Sequence, residues 1–380
     1  MRITLIDSRS TSLEKPSLPE VAMAGKPVQH VQIPLQPILN RHGVRFIQDT
    51  ATLIHPHRQE IELAQSESLS YDYLLIALGA VKNYDAIPGF REFGFSVCDD
   101  EQALRLHDRL TAFTGGTIVI GAARSAFGRR VSAPNLAAPC EGPIGEVMFM
   151  LDYELRRRGW REKSRFDIFT PGSKFFEDVG AHVHAAMGPL IEKHGMTVHV
   201  SKTLKQIYAD HVEFTDGSTL EADLTVIIPP YTAPAVIKDS GLGDEAGFVP
   251  TNTQMRHVDY ANIFAAGDVN ALAMPKLGHI AVHQADIASA AIRREVTGTG
   301  EIPPYKPEIF CIMNRGGDEA TLILSDYLYG GKRDMVVNGG VAHLMKWSFD
   351  SYYFFTKGHM PPEITQSALE NLLENLPTNR

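Results

Sequence analysis

Residues 260–268 read YANIFAAGD, an aromatic-to-aliphatic run that stops at Gly267 and Asp268. A short apolar run closed by glycine predicts a buried strand, and the Gly-Asp pair predicts a turn that presents a carboxylate at the strand end. An ordinary turn after a core strand is the plain reading; an Asp268 held toward a ligand is the sharper one. A second stretch of the same make, YDYLLIALG at 71–79, stops at Gly79, and Pro88-Gly89 marks the turn beyond it.

Together the two stretches resemble the flavin-domain signatures of the pyridine nucleotide-disulfide oxidoreductase superfamily, with Ala77-Leu78-Gly79 in place of an alanine-threonine-glycine ending. The resemblance implies FAD as cofactor, with Gly79, Gly267 and Asp268 at its flavin and ribityl end. Composition agrees with a large α/β protein: 380 residues and 44% hydrophobic content leave room for roughly two or three domains. A net charge of −9 argues against a nucleic-acid partner, which needs a basic face. No apolar run approaches the roughly 20 residues of a membrane-spanning helix.

The chain opens MRITLIDSRS, a strand at 3–6 ending in Asp7. In a dinucleotide fold an acid at the end of the second strand binds the adenosine ribose. On that reading the chain starts at strand two, without the strand, G-x-G-x-x-G turn and helix that precede it, a unit of about 30 residues. The expectation is a start codon placed too late or a truncated gene, so a signal peptide cannot be judged. A natural protein that has abandoned FAD, or an Asp7 that is a plain surface acid, are the alternatives. Loss of a central strand would leave its neighbours with unpaired backbone and apolar faces.

Residues 116–128, GTIVIGAARSAFG, place Gly121 and Gly128 where a second Rossmann unit would hold NAD(P)H. Ala123 replaces the middle glycine, Arg124 and Phe127 crowd the turn, and the next strand, 166–169, ends in Thr170-Pro171 with no carboxylate for a ribose. The second domain is expected to keep its fold without its nicotinamide site.

Cysteine supplies another electron donor. There are three, Cys98, Cys140 and Cys311, and sparse cysteine fits a reducing compartment where a disulfide is catalytic. Taken singly, each is more simply a small buried hydrophobe. In context the chain resembles the sulfide:quinone oxidoreductases and flavocytochrome c sulfide dehydrogenases over nearly its whole length. Cys140, Gly142, Pro143 and Glu146 match the first redox-cysteine motif, with Gly145 where the family has tyrosine; Cys311, Ile312 and Met313 match the second, and Cys98 matches a third cysteine of sulfur handling or flavin attachment. Segments 18–26 and 148–159 also look like family segments, as does MPKLG at 274–278, which would bring Lys276 and Gly278 to the flavin.

The resemblance implies that hydrosulfide attacks a Cys140–Cys311 disulfide or polysulfide bridge and that two electrons pass by way of the flavin to a quinone. Catalytic roles then fall to Cys140, Cys311, Cys98 and Glu146, cofactor contacts to Asp7, Gly79, Gly267, Asp268, Lys276 and Gly278; no metal site is assigned. Where the family often carries histidines, this chain has Asp99, Asp100 and Asp178, while His182 and His184 lie nearby in sequence. Residues 341–359, VAHLMKWSFDSYYFFTKGH, read as an amphipathic aromatic helix suited to a membrane interface or to packing on the flavin domain. Resemblance favours the membrane surface, and hence a peripheral membrane protein on the cytoplasmic face, with a homo-oligomer left open. A short helix at 364–376 follows.

The expected organisation is two Rossmann-like domains plus a C-terminal segment: a split FAD domain (1–110 and 237–307), a degenerate NAD(P)-binding-like domain (111–236), and a redox-cysteine and quinone-facing segment (308–380). The competing readings are a type II NADH:quinone dehydrogenase and a truncated, non-catalytic remnant of the fold.

Overall fold

The computed structural model describes residues 1–360. Its centre is a five-stranded parallel sheet in the order Gly94–Phe95, Leu224–Ile228, Gly116–Ala122, Ser164–Phe169, Met196–His199. The inner strands are near-continuous apolar runs such as TIVI and LTVII, buried along their length, as a parallel sheet covered on both faces requires. Gly94–Phe95 lies upstream of residue 111 and still joins this sheet. The helix Asp100–Thr111 follows it, started by Asp99, whose side chain accepts from the Gln102 amide at 2.8 Å.

Gly121 and Gly128 have packing reasons to be glycine. A Cβ at 121 would lie 2.4 Å from the Phe169 ring and one at 128 would lie 1.9 Å from the Asp244 carboxylate. No helix opens at this turn; the next one, Gly142–Arg157, begins only after a long irregular stretch. Gly121→Ala is therefore expected to lower stability by about 1–3 kcal/mol through overpacking between two central strands; equilibrium denaturation measures it, and an unchanged midpoint would refute the packing account.

Outside the five-stranded sheet lie two parallel ribbons, Thr4–Asp7 with Arg45–Gln48 and Leu74–Ile76 with Ile263–Ala265. Among the described residues no strand joins them. Each ribbon keeps an edge without a strand partner, and Ile3, Leu75 and Leu78 stay 49%, 36% and 46% exposed. Strands Ala51–His55, Glu60–Leu63 and Leu69–Ser70 form a separate antiparallel sheet.

The C-terminal region is an antiparallel sheet of Ile309–Gly316, Glu319–Ser325 and Asp334–Gly339, packed against the helices Gly142–Arg157 and Gly340–Phe355. The last helix packs Ala342, Met345 and Phe354 against the core together with one cation, Lys346. Ala342 and Lys346 are buried, whereas Val341, Leu344, Trp347, Tyr352 and Phe355 fall on one exposed arc, Phe355 at 86%. The helix expected at 364–376 lies outside the described residues.

Candidate active site

The helix Gly142–Arg157 starts against the strand Ile309–Gly316, with Pro143 in its first turn, where the missing amide hydrogen does no harm. A Cβ at residue 142 would sit 3.2 Å from Cys311 Sγ and 3.9 Å from Cys140 Sγ. Glycine here leaves room for two sulfurs that converge on the helix N-terminus, although 171 residues (311 − 140) separate them in sequence. Both thiols are free. Burial pushes the Cys140 thiol well up, with Asp178 and Cys311 adding to it; burial, then Glu146 and Asp178, push Cys311 up to about 12. The reduced pair is therefore held as neutral thiols near neutral pH; the Gly142 amide opposes this at Cys140 and the Lys346 charge opposes it at Cys311.

Gly145 departs from the expected tyrosine for a steric reason. A Cβ there would lie 2.7 Å from Met313 Sδ and 2.9 Å from Phe176 Cζ. Any larger side chain at 145 would have to displace the Met313 thioether and the Phe176 ring.

A second group gathers around Cys98. Its Sγ lies 3.6 Å from the Tyr231 hydroxyl. Tyr231 faces Lys82 across the antiparallel pair Val81–Lys82 and Tyr231–Thr232. Lys82 Nζ is 3.6 Å from the centre of the Tyr231 ring and 3.6 Å from Asp268 Oδ2. Burial lowers the Lys82 pKa, opposed by Asp268, Cys98 and Cys140. This lysine thus links the two strand-end signatures to two of the cysteines. Sequence reading passed it over; the available signal was a lone cation three residues beyond Gly79.

Gly79 and Gly267 have φ of +67° and +77°, the left-handed region glycine favours, and the Gly267 amide is fixed by the buried Gln284 at 2.9 Å. A Cβ at Gly79 or Gly278 would meet nothing within 4 Å, so open space lies beside both. Gly278 opens the 20-residue helix Gly278–Thr297 without a side-chain cap. Asp7 ends its strand as anticipated and accepts from the Arg9 amide at 2.8 Å. These residues fit the adenosine ribose and the flavin end of FAD, while the 380 residues hold no G-x-G-x-x-G for its pyrophosphate. Lys276 Nζ donates to Asn270 O at 3.0 Å and lies 4.2 Å from the Phe248 ring centre, and burial pulls its pKa down to about 7.

Glu146 is buried and accepts from the Asn314 amide at 3.1 Å; burial raises its pKa to about 7 against the pull of Lys346. Lys346, from the last helix, lies 3.4 Å from Asp350, and the charge it keeps despite burial is sustained by Asp350, Glu146, Glu20 and Glu14. Of the three acids expected in place of histidines, Asp99 caps a helix and accepts from the Tyr84 hydroxyl, and Asp100 pairs with Arg9 at 2.6 Å. Asp178 alone of the three borders Cys140. His182 and His184 lie on the helix Ala181–Lys193, and neither lines the small cavity that Asp178 and Cys140 share.

The pyridine nucleotide-disulphide oxidoreductase family matches residues 1–285. The sulfide-quinone reductase of Aquifex aeolicus is 26% identical over 98% of this chain and 90% of its own length. The mitochondrial sulfide:quinone oxidoreductase of Mus musculus is 24% identical over 75% of this chain and 64% of its own length. The X-ray structure of the Aquifex aeolicus sulfide:quinone oxidoreductase superposes with a TM-score of 0.86 at 25% identity, over 98% of this chain and 90% of that one.

Proposed function

Because the chain belongs to the pyridine nucleotide-disulphide oxidoreductase family, we propose that it is an FAD-dependent enzyme that oxidises sulfide, or a related sulfur species, through Cys140 and Cys311 and passes two electrons to a quinone. The observation that carries this reading is the convergence of the two sulfurs beside Gly142. A thiol pair at a helix N-terminus cycles through a disulfide that a sulfur nucleophile opens, leaving one cysteine as the departing thiolate. Cys98, with Tyr231 and Lys82 against it, handles sulfur beside the pair.

FAD would be held by Asp7 at its adenosine ribose and by Gly79, Gly267, Asp268 and Gly278 at its flavin end; when bound it supplies the two-electron relay. Lys82 fixes the Asp268 carboxylate, and Glu146 with Lys346 holds protons on the side of Cys311 facing the last helix. The division into 1–110 with 237–307, 111–236 and 308–380 belongs to the same proposal. No helix among the described residues is long and apolar enough to cross a membrane. The outward apolar arc of Gly340–Phe355 supports attachment to a membrane surface, where a quinone resides. The NADH reading is weaker, because no helix opens at the second glycine turn to offer the N-terminus that would hold a pyrophosphate.

Anaerobic titration of the FAD-loaded protein tests the proposal. Sulfide is expected to bleach the flavin absorbance and a quinone to restore it. Bleaching by NADH but not by sulfide would overturn it.

A further inference from the structure

Glu141 and Asp178 are two acids that this chemistry leaves unused. They are 4% and 7% exposed, and each has one oxygen, Glu141 Oε1 and Asp178 Oδ1, without a hydrogen-bond partner. With Cys140 they line a cavity of about 10 Å³, whose wall also includes Glu177 and Pro275. That is room for about one water-sized molecule. Glu177 differs, since its oxygens accept from the amides of Ser173 at 2.9 Å and Ala137 at 3.1 Å. Two orphaned acid oxygens buried beside a sulfur call for a proton or a small polar guest.

We propose that neutral hydrogen sulfide enters this cavity and that the Glu141–Asp178 pair takes its proton as the sulfur bonds to Cys140. The inference rests on the Cys140–Cys311 reading above. Asp178 accepts one proton; the hydrosulfide sulfur forms a bond to Cys140 Sγ; the bond from Cys140 to Cys311 breaks, and its electron pair stays on Cys311 as thiolate. The incoming sulfur is oxidised to the persulfide level as the disulfide is reduced. A neutral guest suits an acid-lined cavity, where an anion would meet both desolvation and like charge.

The two acids divide the work. Burial pushes Glu141 up to about 8, with Asp178 and Glu177 adding to it against a hydrogen bond from Thr170. Burial pushes Asp178 up to about 6, with Glu177 adding to it. Near neutrality Glu141 therefore keeps its proton while Asp178 is an available base. The other titratable groups in electrostatic reach of the pair are Cys140, Cys311 and Tyr329.

The test is anaerobic rapid mixing of the oxidised, FAD-loaded full chain with sulfide or with sulfite, reading opening of the disulfide by the mass added to Cys140 and the thiol freed on Cys311. Sulfite under mildly alkaline conditions is a dianion that forms an S-sulfonate with no proton to lose. Asp178→Asn is expected to slow opening, per neutral hydrogen sulfide, by about 10²–10³-fold, to remove the wild-type decline below a pH of about 6, and to leave the sulfite rate unchanged or faster. Asp178→Glu should restore most of the sulfide rate. Glu141→Gln gives a second reading should Asp178→Asn not fold: the wild-type rate per neutral hydrogen sulfide is expected to fall above a pH of about 8, where Glu141 loses its proton and charges the cavity wall, and the variant's rate is expected to stay level there. Equal slowing toward both nucleophiles, or no change toward sulfide, overturns the inference alone. A wild-type disulfide that sulfide never opens overturns the Cys140–Cys311 reading and the inference with it.

Discussion

Cys140→Ser and Cys311→Ser are each expected to lower the rate at which sulfide reduces the FAD-loaded protein by at least roughly 10³-fold, with the double variant little worse than either single one. Serine oxygen neither joins a disulfide nor serves as its leaving group, so losing one sulfur ends the cycle as completely as losing two. The substitution is nearly isosteric, and both sulfurs already pack beside a glycine, so the fold should survive it. Stopped-flow absorbance measures the loss, and reduction by dithionite, which needs no cysteine, should stay at the wild-type rate. A single variant that keeps most of its sulfide rate would remove the pair from the mechanism.

The largest stability effect is expected at Asp152, on the inner side of the helix that begins beside the cysteines. It is 1% exposed and accepts from Arg156 at 2.8 Å, His194 at 2.8 Å, and Arg161. Burial works against its charge, but the hydrogen bonds from His194, Arg156 and Arg161 prevail and hold its pKa to about 2. Asp152→Ala leaves the little-exposed Arg161 short of its counter-charge and should cost about 3–5 kcal/mol in chemical denaturation. The sign of the pH dependence follows from the lowered value. Asp152 stabilises fully above the unfolded carboxyl pKa of about 4 and loses that contribution as pH falls through about 2. The variant should therefore be flatter than wild type across that interval, and a parallel pH profile would refute the account.

Both strands that decided the fold were legible because each is a short apolar run stopped by glycine. They prove to be partners, Leu74–Ile76 lying parallel to Ile263–Ala265. The three cysteine neighbourhoods and the pairing of Cys140 with Cys311 were legible from resemblance alone; no residue pattern announces that closeness, because it arises from one helix start meeting one distant strand. Lys82 and Tyr231 escaped because neither lies in a patterned segment; a two-residue strand pair places them. Glu141 reads in sequence as one more acid, and only enclosure gives it a raised pKa. Asp152 sits in MFMLDYELRRRG with cations after it, which reads as a solvated face, while the third partner, His194, comes from another helix end. The last helix shows a different limit. Both its faces carry aromatic side chains, and periodicity does not show that Lys346 sits on the inner one, where four acids meet it.

The outward arc of that helix has a colloidal consequence. Trp347 and Phe355, at 61% and 86% exposure, form an oily ridge on a molecule whose net charge of −9 otherwise keeps copies apart. Salt that screens the charge should make the protein clump through this ridge, whereas a mild detergent should coat it and keep the particles single. Light scattering across a salt series would show the ridge governing how the protein behaves in a tube, whatever reaction it runs.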